Sequence, residues 1–177
     1  MSEFSRRILI NGPHNDRISR FKPFVAVLVA LAAILFQVYV PLFFKYLSHL
    51  ELPLLVTVYF SLTRRHQITG TLIGAMIGLA QDSLAHHPLG MFGIVNTLVG
   101  YFAASISLRL DIENPMLRFF AGFFFFSFHQ SFYWLLSGAL LGQEKSFDFL
   151  STLLAAILNA TVAVPLFSIL DKLKERP

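Results

Sequence analysis

The sequence predicts an all-α integral membrane protein with six transmembrane helices. Three observations carry that expectation. The 177 residues are 55% hydrophobic and only 14% charged, where a soluble domain carries roughly 25% charged residues. The apolar residues are gathered in six runs joined by short connections. With six crossings, every one of the 14 Lys and Arg except Lys45 and Lys145 falls on one side, which the positive-inside rule makes cytoplasmic, termini included.

Residues 1–22 read as a basic cytoplasmic tail, with Arg6, Arg7, Arg17, Arg20 and Lys22 set against Glu3 and Asp16. The apolar run behind it is too long for the core of a secretory signal, and no small-residue cleavage site follows. A retained anchor is expected, its tail drawn to anionic lipid at ~1 kcal/mol per basic residue near the surface. Residues 23–171 form the six-helix membrane domain, and 172–177 a short cytoplasmic tail.

The first run, Phe24 to Phe44, has one polar member, Gln37, and Pro41 is expected to bend or end it. The second, Leu52 to Leu62, covers only 11 residues, about 16 Å of helix. It crosses only by borrowing Leu47 to Leu50, by tilting, or where the bilayer is thin. The charges require it to cross, because five spans would put most later cations on the wrong side. Ile68 to Leu84 sits at the lower length limit for a span. Leu89 to Leu108 follows, then Met116 to Leu141 behind Pro115, then Phe147 to Leu170 with Pro165 near its end.

Gly70, Gly74 and Gly78 recur every four residues and so share one helix face. Such a groove lets helix backbones approach closely in a bilayer, within the bundle or with a partner helix. Asp82 continues that face, about 21 Å along the helix from Ile68. Apart from Asp148 at the very start of the last run, it is the only acidic residue inside a run, and an intramembrane acid points to a functional site unless it is tied structurally. Asp82 or neighbouring Gln81 is suited to tie the turn containing Pro88 and Gly90. Asp82, His86 and His87 are adequate metal ligands by type, but adjacent helical histidines diverge by about 100°, so no metal is expected. Gln37, Asn96, His129, Gln130 and Asn159 are intramembrane polar candidates. They line a hydrated pocket or form interhelical hydrogen bonds of ~0.6 kcal/mol each. Tyr101, Tyr133 and Trp134 suit an aromatic belt.

Zero cysteines exclude disulfides and thiolate chemistry. No HExxH, GxSxG or phosphate-binding glycine loop occurs, and Asp82 has no second carboxylate for an aspartyl mechanism. No enzyme, cofactor or nucleic-acid partner is expected.

The order Leu50-Glu51-Leu52-Pro53, Tyr59 through Arg64-Arg65, the glycine ladder, Gln81-Asp82, Pro88-Leu89-Gly90 and Gly100-Tyr101 resembles the rod shape-determining protein MreD family. The likeness covers roughly residues 50 to 104. Phe92 departs from the polar residue, often Asn, that the family pattern carries there. The resemblance implies a bacterial inner-membrane scaffold of the cell-elongation machinery that supports peptidoglycan synthesis. It implies MreC as partner through its transmembrane helix, with MreB, RodA and the elongation transpeptidase in a larger complex. It also implies a fold like the substrate-binding subunits of energy-coupling-factor transporters. The alternative is a small-molecule or lipid-binding membrane subunit.

Overall fold

The computed structural model describes residues 23–84, 90–109, 113–142 and 148–173. Among them are six α-helices, α1 (Pro23–Phe43), α2 (Leu52–Arg64), α3 (Gln67–Leu84), α4 (Met91–Ile106), α5 (Pro115–Leu141) and α6 (Phe149–Lys172), and one 3-10 helix, Lys45–His49. The basic tail, the turn with His86, His87 and Pro88, and Lys145 lie outside the described residues. Two helices are long and apolar enough to cross a membrane by length and composition alone, α1 from Phe24 onward and α6.

Local chemistry sets the boundaries. Pro41 is accommodated in the last turn of α1, which ends two residues later. Pro53 sits in the first turn of α2, where its missing N–H costs nothing. Gly90 enters α4 with φ 96°, a conformation only glycine adopts freely. Asn114 caps α5 by accepting from the Met116 N–H at 2.9 Å, and Asp148 caps α6 through the Ser151 N–H at 3.2 Å.

Helix α2 is the centre of the bundle: every residue from Pro53 to Thr63 is buried. It is also short, 13 residues against 27 in α5 and 24 in α6, or about 20 Å against 40 and 36 Å. Its C-terminal half is pinned beside the end of α6, where the Tyr59 hydroxyl donates to Asp171 at 2.8 Å and its ring lies 5.2 Å from that of Phe167. Arg118 of α5 donates to the same carboxylate and to Ser168. Arg118, expected as one of the cytoplasmic loop charges, is thus buried in a bond between helices, with only 7% of its surface exposed.

The start of α2 lies deep in the bundle. Asn159, 11 residues past the Asp148 cap and so about 16 Å down α6, accepts from the Glu51 N–H at 2.9 Å. Its amide donates to the His49 carbonyl at 2.7 Å. The connection between α1 and α2 therefore folds inward, and α2 runs beside only the second half of α6. That explains how an 11-residue apolar run fits among helices twice its length: the irregular backbone sits at depth, with its polar groups satisfied by protein.

The glycine ladder faces α4. A Cβ at Gly70 would lie 2.5 Å from the Gly100 carbonyl oxygen, and Cβ atoms at Gly74 and Gly78 would overlap the carbonyls of Asn96 and Phe92. The two backbones run antiparallel in direct contact, so this face is filled by the chain's own next helix and not by a partner. Replacing Gly74 by Ala should lower the melting temperature in detergent by the equivalent of about 1–3 kcal/mol. Leu72→Ala, on the exposed side of α3, should leave it nearly unchanged.

Candidate functional site

Polar side chains collect at the end of the bundle left open by the short α2. Asp82, in the last turn of α3, is 2% exposed. One of its oxygens accepts from the Gly90 N–H at 3.0 Å and the Gly93 N–H at 2.9 Å, and the other from the Phe92 N–H at 3.1 Å. The carboxylate thus occupies the N-terminus of α4, where unpaired N–H groups and the helix dipole favour negative charge. The segment between Asp82 and Gly90 includes Pro88, which lies outside the described residues.

The residue just before Asp82, Gln81, joins a chain of polar contacts. It accepts from the Asn96 amide at 3.3 Å and donates to Glu51 at 3.4 Å. The same Glu51 oxygen accepts from Gln37 of α1 at 2.6 Å. Glu51 therefore ties α1, α3 and α4 to a connection whose backbone Asn159 holds from α6.

Two cavities open beside this cluster, of about 330 and 530 Å³. Both are lined by Ser48, Glu51, Gln130 and Tyr133. The smaller extends past His49 and Trp134 to Asp148, and the larger past Gln37, Gln81 and Phe92. Below them His129 is 1% exposed, and neither ring nitrogen has a hydrogen-bond partner. Its ring stacks on Phe92 at 5.7 Å, and Phe92 in turn stacks on Tyr133 at 5.1 Å. Position 92 thus carries an aromatic stack, while its backbone N–H serves Asp82.

Of the polar residues singled out in the sequence, the structure brings Gln37, Gln81, Gln130 and Asn159 together around Glu51. Asn96 is attached through Gln81, and His129 stands apart from the hydrogen-bonded chain. Glu51 itself escaped notice as a site residue because it precedes an apolar run and reads as an ordinary loop charge. Its signal was the Glu-Leu-Pro at the head of a run too short to span. Among the described residues no cluster of His, Asp and Glu is arranged to hold a metal, and His86 and His87 lie outside them.

Asp82→Asn keeps one acceptor oxygen but aims an amide donor at N–H groups. It should cost about 1–3 kcal/mol, read as a lower melting temperature, with Asp82→Ala costing at least as much. An unchanged melting temperature in both variants would show that the carboxylate does not hold the turn.

No curated protein and no solved structure matches the chain. A family model described as rod shape-determining protein MreD matches residues 18–176, which takes in all six helices, the Asp82 turn and the Glu51 cluster. The chain belongs to the rod shape-determining protein MreD family.

Proposed function

We propose that this protein is a non-enzymatic scaffold of the rod-shape machinery in the bacterial inner membrane, and that it receives the transmembrane helix of MreC. The observation that carries the reading is the family match over nearly the whole chain. All six helices cross, both termini are cytoplasmic, and the architecture is of the energy-coupling-factor substrate-binding type. Through MreC the protein works beside MreB, RodA and the elongation transpeptidase to support peptidoglycan synthesis.

The partner helix needs an apolar face that the chain does not use itself. The glycine ladder is taken by α4. Helix α1 is the least buried span, and its stripe Leu28, Leu35 and Tyr39 is exposed. We assign the MreC helix to that stripe. Charged residues on it are predicted to break association: Leu35→Arg should abolish co-purification with MreC from membranes while Leu84→Ala, off the stripe, does not. Retained association of Leu35→Arg would exclude the α1 stripe, and no association of the folded wild-type protein would exclude the scaffold role.

A second reading, a ligand-binding membrane subunit, is favoured by the polar cavities around Glu51. A bundle serving only as a scaffold has no need of them. Mass measurement of the intact protein released from detergent tests it, since this reading requires a retained small molecule.

A further inference from the structure

The larger cavity lies on the same helix seam as a separate apolar groove. Its wall is made in part by Gln37, Val38 and Pro41 of α1 and by Gln81 and Leu84 of α3. A groove of about 230 Å³ lies between the same two helices, lined by Ala26, Ala30 and Ile34 on α1 and by Ile73, Ile77 and Ala80 on α3. Ile34 is one turn from Gln37 and Val38, and Ile77 and Ala80 are one turn from Gln81 and Leu84. A polar chamber thus sits one helical turn along the α1–α3 seam from an apolar groove. An amphiphile has that shape, and a water-soluble ligand has no use for the lower half.

The charge of the chamber narrows the head group. Among the described residues that line the two cavities, Glu51 and Asp148 are the acidic ones, and there is no Lys or Arg. The Gln37 side-chain oxygen is buried without a partner, leaving an acceptor unused beside the Glu51 carboxylate. Tyr133 and Trp134 add aromatic walls. Acceptors, a carboxylate and aromatic faces are what an ammonium group seeks, since it has three donors and no acceptor. A purely anionic head would meet the two acidic side chains with no Lys or Arg among the described lining residues.

We propose that the chamber and the seam together bind a phospholipid whose head carries a free ammonium, with the ammonium at Glu51 and Gln37 and an acyl chain along the α1–α3 groove. The proposal rests on the second reading above, that the chamber holds a ligand. It is separate from the partner helix assigned to the other stripe of α1.

The test uses the full chain, stripped of lipid, mixed with vesicles of equal phosphatidylethanolamine and phosphatidylglycerol, and weighed intact. One phosphatidylethanolamine per chain should be retained, at about tenfold preference over phosphatidylglycerol. Glu51→Gln should abolish the preference. Ala30→Phe fills the groove far from the carboxylate and should lower retention of phosphatidylethanolamine while the melting temperature holds, so it decides the matter if Glu51→Gln does not fold. Equal retention of the two lipids, a preference for phosphatidylglycerol, or full retention by Ala30→Phe would overturn the proposal. A retained mass that is not a lipid would overturn it but leave the ligand site standing, and no retained mass under any condition would remove both.

Discussion

Asn159 is the contact on which the rest of the arrangement depends. One carboxamide, fully buried halfway along α6, accepts from the Glu51 N–H and donates to the His49 carbonyl. Those two backbone groups belong to a connection that is not helical and that sits well inside the bundle. Without a side chain to satisfy them, each would carry a desolvation cost of a few kcal/mol in a water-poor interior. Because Asn159 satisfies both, α2 is able to start late and stay short.

The hollow follows from that shortness. Helices α5 and α6 continue past the start of α2 with nothing central between them, and the folded connection roofs the gap only in part. Glu51 is left at its floor, held by Gln37 and Gln81. At the other end of the bundle α2 reaches the level of Asp171 and is bonded to it through Tyr59. A polar chamber at one end and a packed ion-paired plug at the other are thus two consequences of one helix length. The α3–α4 pair is the rigid wall beside the chamber, its backbones in contact along the ladder and its turn closed by Asp82.

The helical skeleton was legible because it rests on local signals. The six apolar runs, Pro115 and Gly90 mark the helices to within a few residues, and the four-residue glycine step marks the face of α3 that meets α4. Asp82 was expected as a tie for the following turn from its place at the end of that face, and it accepts the Gly90, Phe92 and Gly93 N–H groups, whereas Gln81 turns to Asn96 and Glu51. The depth of the α1–α2 connection was not legible, because it depends on a bond between residues 108 positions apart. The burial of Arg118 was hidden for the same reason: as a sequence feature it counts as a loop cation, and only the packing of α5 on α6 brings it to Asp171. Glu51 joined the site through three partners on three helices, none of them near it in sequence.

The Asn159 bond is most directly measured by hydrogen exchange at the Glu51 amide. The account predicts slow exchange in the wild-type protein, although Glu51 lies outside any helix, and fast exchange in Asn159→Ala together with loosened protection in the first turn of α2. A Glu51 amide that exchanges in the wild-type protein as fast as an open loop would contradict it.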